Sequence, residues 1–225
     1  MPHDSVWSFF IDNLKSQEIN GKKLLEIGSY HRFGGIRKLI ESYFTPLSYT
    51  GVDIKAGPGV DHVASFESLL DMYKHDTFDV VFAVEVMEHI LDYKLFLNTM
   101  KRLLREGGII FITTRSINFG YHLAPFDYWR FSLDTMARLF SDMQIDKLIS
   151  DPEYPGVFIK AMKPIDFQII DLGSVKAYSI IRSMEIGYIP NPNESRLICK
   201  LSKSLTNTKI PLYMDIAAVL NHFIK

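Results

Sequence analysis

The sequence predicts an α/β fold: a Rossmann-like, doubly wound, mostly parallel sheet with helices on both faces and a C-terminal appendage. Three observations predict it. Short apolar runs at 23–28, 49–54, 78–84 and 109–114 alternate with segments whose apolar residues recur at helical spacing. The later runs are apolar nearly throughout, as expected of parallel strands covered on both faces. Glycine and Gly-Pro clusters punctuate their ends, at Gly28, Gly57-Pro58-Gly59 and Gly107-Gly108. That alternation argues for one open sheet wrapped by helices.

Taken in order, Val6 to Ile19 sets Trp7, Phe10, Ile11 and Leu14 at helical spacing, with Asp4 or Ser5 as the cap. Lys23 to Gly28 is a strand, and Gly35 to Phe44 is a helix with Ile36, Leu39, Ile40 and Phe44 on one face. Tyr49 to Ile54 is a second strand, ended by the turn residues of Lys55 to Gly59. Phe66 to Lys74 reads as a short helix, and the β-branched and aromatic run Phe78 to Val84 as a strand. Leu95 to Arg105 is amphipathic, and Gly107-Gly108 stops it before the strand Ile109 to Thr114. A polar-aromatic stretch, Arg115 to Phe131, precedes a helix over Leu133 to Met143. After Asp151 the pattern loosens: Gly156 to Met162 fits one more strand, Asn191 to Ser195 a turn, and Ala217 to Phe223 a final helix. The expected domains are 1–165 for the sheet and 166–225 for an extension that shapes an acceptor site or an oligomer contact.

Composition removes whole classes. The 225 residues carry 25 Lys+Arg against 26 Asp+Glu, for a net charge of −1, with 47% hydrophobic and 23% charged residues. That is too apolar for a disordered chain, and it gives no bulk field for a polyanion, so nucleic acid is not an expected partner. The one cysteine, Cys199, makes no internal disulfide and supplies no thiolate cluster, and no metal is expected. The N-terminus lacks the basic start and apolar core of a secretory signal, and no run approaches the ~18 residues that span a bilayer. A cytoplasmic protein is the expectation.

In open α/β sheets ligands bind beyond the carboxyl ends of the strands. The first strand runs into Gly28-Ser29-Tyr30-His31, where Gly28 lets the backbone turn sharply. Tyr30 holds the place of a second glycine, so this is neither a G-x-G-x-x-G nor a phosphate-cradling loop. The second strand ends in Asp53, about 20-odd residues on, where an acid accepts two hydrogen bonds from a ribose diol. A plain β-turn-α corner and a turn-capping acid are the alternatives.

Four blocks, Leu24-Leu25-Glu26-Ile27-Gly28, Gly51-Val52-Asp53-Ile54, Phe78 through Ile90 with its Val84-Glu85-Val86-Met87-Glu88-His89, and Leu103-Leu104-Arg105-Glu106-Gly107-Gly108, follow one another at domain-like spacing. Together they resemble a class I S-adenosylmethionine-dependent methyltransferase of the type 11 kind, over about residues 20–145. Pro125-Phe126-Asp127-Tyr128-Trp129-Arg130-Phe131 looks like the P-x-D-Y-W-R-F segment of a bacterial and archaeal subset associated with glycan and small-molecule modification. The resemblance implies S-adenosylmethionine as cofactor and a small-molecule or glycan-like acceptor. It puts Glu26, Gly28 and Ser29 at the cofactor's methionine end, with Ala83, Val84 and Glu85 passing beside it. Asp53 takes the ribose, Ile54 packs on the adenine, and Ala64 and Ser65 lie near the adenine amine. At Ser65 many relatives carry an acid. Tyr30 is the largest departure: either it crowds the methionine pocket, or the loop through Gly34-Gly35 takes a longer route.

A sulfonium cofactor carries no phosphate, which fits the missing phosphate nest. His122, His89, Asp127 and Glu88 are the candidate general bases; a histidine that caps a helix or fixes the loop is the alternative for His89, and a surface histidine for His122. Asp127, Tyr128, Trp129 and Arg130 form a candidate acceptor-binding cluster, in which Arg130 pairs an acidic group of the acceptor. In the alternative, Trp129 and Phe131 pin the loop to the core and Arg130 bridges Asp127. A homodimer is compatible with the extension. The rival functions are a non-catalytic binding or scaffold member of the fold and an NAD-dependent oxidoreductase, the latter disfavoured by the missing G-x-G-x-x-G.

Overall fold

The computed structural model describes residues 3–31, 35–122, 126–191 and 193. Its strands are β1 (Lys23–Ile27), β2 (Ser48–Asp53), β3 (His62–Val63), β4 (Phe78–Val84), β5 (Leu104–Arg115), β6 (Trp129–Arg130), β7 (Gln144–Ser150), β8 (Gly156–Met162), β9 (Ala177–Ser179) and β10 (Met184–Ile186). The helices are α1 (Asp4–Asn13), α2 (Ser16–Ile19), α3 (Ile36–Tyr43), α4 (Leu69–Met72), α5 (Tyr93–Leu103) and α6 (Leu133–Leu139).

Seven strands form one sheet in the order β3-β2-β1-β4-β5-β8-β7, and β10-β9-β6 form a second, small sheet. β1 through β5 run parallel, whereas β8 is antiparallel to both β5 and β7. Strand order reverses between β1 and β4, the place where open sheets part to admit a ligand. The mostly parallel, doubly covered sheet read from the sequence is what forms.

The apolar strands fill two cores because alternate side chains face opposite ways. On one face Val80, Phe82 and Val84 of β4 and Phe111 of β5 meet Phe9 and Phe10 of α1 and Ile36 and Ile40 of α3. On the other, Val81 and Ala83 of β4 and Ile110 and Ile112 of β5 meet Phe96, Leu97 and Met100 of α5 and Met136 and Leu139 of α6. Each buried Val, Leu, Ile, Phe or Met among them contributes roughly 1.5–3 kcal/mol. α5 and α6 start on side-chain caps: Asp92 accepts from the Leu95 N–H at 2.9 Å and Ser132 from the Thr135 N–H at 3.0 Å.

Several elements differ from the sequence reading. The first helix breaks after Asn13, because buried Lys160 of β8 needs partners: it donates to the Asn13 carbonyl at 3.1 Å and to both Glu18 oxygens at 3.0 Å. α5 ends at Leu103, and Gly107-Gly108 lie inside β5, where the pairing with β4 shifts register between Phe78 and Val80. β7 is a mostly exposed edge strand in which Ile145 and Leu148 pack on the core and Asp146 and Lys147 interrupt the apolar run. Beyond β8, Leu172, Val175, Ala177, Ile181 and Ile186 join the same core as α5 and α6, and β9 pairs with β6. The expected helix Ala217–Phe223 lies outside the described residues, as does most of the Asn191–Ser195 turn.

Neither Asp4 nor Ser5 caps α1; His3 is its N-cap residue. A distant acid serves instead. Asp151 accepts from Ser5 Oγ at 2.6 Å, lies 2.6 Å from His3 Nε2, and accepts from the Glu153 N–H at 2.9 Å. Burial acts to raise the Asp151 pKa, but these hydrogen bonds outweigh it and hold it below the ordinary value. An acid with a depressed folded pKa contributes stability above its unfolded pKa of about 3.9 and loses it as pH falls through the folded value. Acid melts of wild type and Asp151→Asn should therefore converge as pH drops below about 4. Ser5→Ala should cost about 1 kcal/mol at neutral pH, or about 2–4 °C in Tm. A constant gap between wild type and Asp151→Asn from pH ~7 to ~2 would contradict this role.

Candidate active site

The chain leaves β1 by hooking around β2: the N–H groups of Gly28 and Ser29 both donate to the Val52 carbonyl, at 2.8 and 3.1 Å. Gly28 has φ +80, and a Cβ there would stand 2.2 Å from Val86 Cγ2, so the turn needs glycine for both conformation and space. The Gly57–Gly59 loop then lies on Ser29–His31. The His31 N–H donates to the Pro58 carbonyl at 3.1 Å, and a Cβ on Gly59 would meet the Ser29 carbonyl at 2.4 Å. Tyr30 turns its ring onto Gly57 and stays 38% exposed.

Glu26 is fully buried, and both of its oxygens are engaged within the protein. Oε1 lies 2.8 Å from His31 Nε2, and Oε2 accepts from the Tyr49 hydroxyl at 2.7 Å. Burial first, then the Glu26 charge, raises the Tyr49 pKa well above its ordinary value and keeps the hydroxyl a donor. Glu26 thus fixes His31 against the glycine turn. Ser29 is also fully buried, and its Oγ has no hydrogen-bond partner.

Asp53 ends β2 and caps the following turn: it accepts from the Lys55 N–H at 2.9 Å and from the Tyr30 N–H at 3.2 Å. A carboxylate has about four lone-pair directions, so acceptor capacity remains. Beside it Ile54 is 59% exposed, a single apolar side chain open at the strand tip. The Ala64 N–H donates to the Asp53 carbonyl at 2.9 Å, and Ser65 is exposed one residue on.

Ala83 and Val84 are buried at the end of β4, and Glu85 follows with φ +57. A left-handed non-glycine residue costs on the order of 1–3 kcal/mol, and strain of this kind gathers at functional sites. The Glu85 N–H donates to the Thr113 carbonyl at 3.0 Å and to Thr113 Oγ1 at 3.2 Å, and its carboxylate pairs with Arg115. Burial, then the nearby Glu88 charge, push the Glu85 carboxyl up to about 7 against the pull of Arg115.

A 3-10 turn over Met87–His89 then sets Glu88 fully inside. Its Oε2 accepts from Thr114 Oγ1 at 2.9 Å, while Oε1 has no hydrogen-bond partner. His89 Nδ1 lies 2.5 Å from the Phe126 carbonyl, and burial lowers the His89 pKa. His122, on the loop after β5, places both its backbone N–H and its Nδ1 on Asp127 Oδ2, at 2.8 and 3.1 Å. Burial alone would raise Asp127; hydrogen bonds from Arg130 and His122 instead hold it below the ordinary carboxylate range. The structure therefore brings His89, His122 and Asp127 together, with Glu88 at their centre.

It does not place the Trp129 and Arg130 side chains at an open surface. Trp129 is fully buried, donates from Nε1 to the Leu91 carbonyl at 3.0 Å and meets Tyr93 edge-on. Arg130 is 1% exposed and spends its donors on Asp127, Phe119, Gly120 and the Trp129 carbonyl. The expected acceptor contacts of these two residues are corrected accordingly: both are anchors, Trp129 on Leu91 and Tyr93 and Arg130 on Phe119, Gly120 and Asp127. Tyr128 is 6% exposed and also faces inward, packed beside Phe126. The i,i+3 spacing of Asp127 and Arg130 showed the pair but not which way it faces. Tyr49 and His31 reach Glu26 from the neighbouring strand and across the turn, contacts that no local sequence pattern signals.

A cleft of about 320 Å³ beside α3 is lined by His31, Gly35, Arg37, Glu41 and Pro58 among others, and by none of the cofactor candidates. Among the described residues no helix is long and apolar enough to cross a membrane.

The family described as "Methyltransferase domain" matches residues 6–151. Phthiotriol/phenolphthiotriol dimycocerosates methyltransferase 1 of Mycobacterium ulcerans is 33% identical over 107 residues, 43% of this chain and 38% of the relative. The ubiquinone biosynthesis O-methyltransferase of Rhizobium etli is 46% identical over 39 residues, 17% of this chain and 16% of the relative. The chain thus matches well under half the length of these relatives. An S-adenosylmethionine-dependent methyltransferase from Mesorhizobium loti superposes with a TM-score of 0.56 at 15% identity, covering 71% of this chain and 98% of the other. An identity that low establishes the fold alone.

Proposed function

Because the chain belongs to the methyltransferase-domain family, we propose that it moves a methyl group from S-adenosylmethionine to a small-molecule or glycan-like acceptor. One observation carries the reading. At the strand-order reversal, a glycine turn with no room for a Cβ, an orphaned buried Ser29 hydroxyl, a strand-tip carboxylate with spare lone pairs and an exposed isoleucine converge. These fit the parts of an adenosyl sulfonium. Asp53 would hold the ribose, Ile54 would cover the adenine beside Ala64 and Ser65, and Gly28, Ser29, Ala83, Val84 and Glu85 would line the methionine end. Glu26 is then a positioning residue, acting through His31.

When bound, S-adenosylmethionine supplies an electrophilic methyl group. The chain's own part is to hold the acceptor in line with it, and such positioning can supply roughly 7–11 kcal/mol. His122 and His89, with Asp127 behind His122, face the acceptor side at the ends of β4 and β5. The relatives' names refer to ubiquinone biosynthesis and to phthiotriol dimycocerosates, which supports a small-molecule acceptor over a nucleic acid.

Calorimetry with S-adenosylmethionine tests the reading. Wild type should bind in the micromolar range. Asp53→Ala removes two hydrogen bonds to a charged acceptor, and should weaken binding about 10- to 100-fold. Asp53→Asn, which keeps the turn cap, should weaken it less. No binding by wild type would favour a non-catalytic binding or scaffold protein, whereas equal affinity in Asp53→Ala would show that Asp53 does not hold the ribose.

A further inference from the structure

Glu88, His89 and His122 each offer one ligand atom, and these atoms all lie within 4.8 Å of one another. Glu88 Oε1 is 3.7 Å from His89 Nε2 and 3.8 Å from His122 Nε2. Those separations are too long for hydrogen bonds, which need about 3.2 Å or less. They lie a few tenths of an ångström above the ~3.3–3.5 Å between neighbouring ligands of a tetrahedral ion at ~2.0–2.2 Å.

The protons are disposed so that lone pairs, not donors, converge. A carbonyl oxygen only accepts, so His89 Nδ1, 2.5 Å from the Phe126 carbonyl, carries the hydrogen and leaves Nε2 a lone pair. His122 Nδ1 faces the Asp127 carboxylate at 3.1 Å, which sets the same tautomer. Glu88 Oε2 is occupied by Thr114, and Oε1 is the buried oxygen with no partner. Two imidazole nitrogens and one carboxyl oxygen therefore point toward a common space, each with a lone pair that an ion can take. The supports are those of a metal site: ligating histidines hold their other ring N–H on a carboxylate or a backbone carbonyl.

Charge points the same way. Asp127 is balanced by Arg130 at 2.6 Å, and Glu85 by Arg115. Glu88 has no lysine or arginine within ion-pairing distance among the described residues. A buried carboxylate without a cation is costly.

We propose that Glu88 Oε1, His89 Nε2 and His122 Nε2 form a site for one divalent transition-metal ion. Two imidazoles and a carboxylate are the donor set of open zinc and iron(II) sites. They leave at least one coordination position free on the side of partly exposed His122. That position takes an oxygen donor, such as an acceptor hydroxyl; this last clause rests on the proposed methyl transfer, whereas metal binding does not. In this arrangement His122 is a ligand rather than a general base. The expectation of no metal rested on the lack of clustered cysteines, whereas here all of α5 and β5 separate Glu88 and His89 from His122.

Chelator-treated protein, dialysed against micromolar zinc chloride without S-adenosylmethionine, should retain one equivalent and melt at a higher temperature. Glu88→Gln and His122→Ala should each lose that equivalent and the thermal shift, and Asp127→Asn should weaken binding by ~10- to 100-fold. Cobalt(II) should give visible ligand-field bands in wild type that vanish in His122→Ala, whose partly exposed site leaves the fold intact by circular dichroism. No zinc on wild type, or equal zinc on wild type, Glu88→Gln and His122→Ala, would overturn the site. Zinc bound as expected with no S-adenosylmethionine binding would overturn only the methyl-transfer reading.

Discussion

Arg130→Met is expected to destabilise the protein by about 3–5 kcal/mol, the cost of stranding a buried charge. At roughly 2–4 °C per kcal/mol for a chain of this size, Tm should fall by more than about 6 °C. The guanidinium makes five donor contacts: two to Asp127 at 2.6 Å, and one each to the carbonyls of Phe119, Trp129 and Gly120 at 2.7–3.0 Å. Five is the full donor complement of an arginine. Without it, a fully buried Asp127 keeps only His122 as a partner, and three carbonyls lose theirs. An apolar pair of similar volume is often neutral where one half of an ion pair is not. Arg130→Met with Asp127→Leu should therefore recover most of the loss, while releasing His122. Urea unfolding of the single and double variants measures both terms. An Arg130→Met variant within about 1 kcal/mol of wild type would show that Asp127, Phe119 and Gly120 are held by other contacts.

Gly28→Ala should cost about 2–5 kcal/mol and abolish cofactor binding. Two separate terms add: about 1–2 kcal/mol for a side chain in the left-handed region, and about 1–3 kcal/mol for overpacking against Val86. They can be separated. Val86→Ala removes the methyl that a new Cβ would meet at 2.2 Å, but it leaves φ at +80. Gly28→Ala with Val86→Ala should thus regain the overpacking part and keep the backbone part. Equal stability of the single and double variants would mean that the turn simply shifts.

The strands Phe78–Val84 and Gly156–Met162 were legible to the residue, because short apolar runs rich in β-branched and aromatic residues suit a strand covered on both faces. The break after Asn13 was not. It depends on Lys160, a buried amine from the far end of the domain, and no local rule reveals that. Gly28 and Asp53 were legible from turn chemistry and spacing, and both stand at the strand tips. Glu26 was legible as an acid in the right place but not as one already engaged, since Tyr49 reaches it from the neighbouring strand. The direction in which Asp127–Arg130 faces depends on the Phe119 and Gly120 carbonyls, which sequence spacing does not show. Glu88, His89 and His122 were each visible singly, and only the fold made them a triad.

Backbone amide chemical shifts during titration with S-adenosylhomocysteine, the demethylated product form of the cofactor, test the central claim most directly. Saturable shifts are expected at Gly28, Ser29, Asp53, Ile54, Ala64 and Glu85, with β7 and the outer face of α3 unmoved. Shifts confined to the cleft around Arg37 and Glu41, or none at saturating ligand, would contradict it.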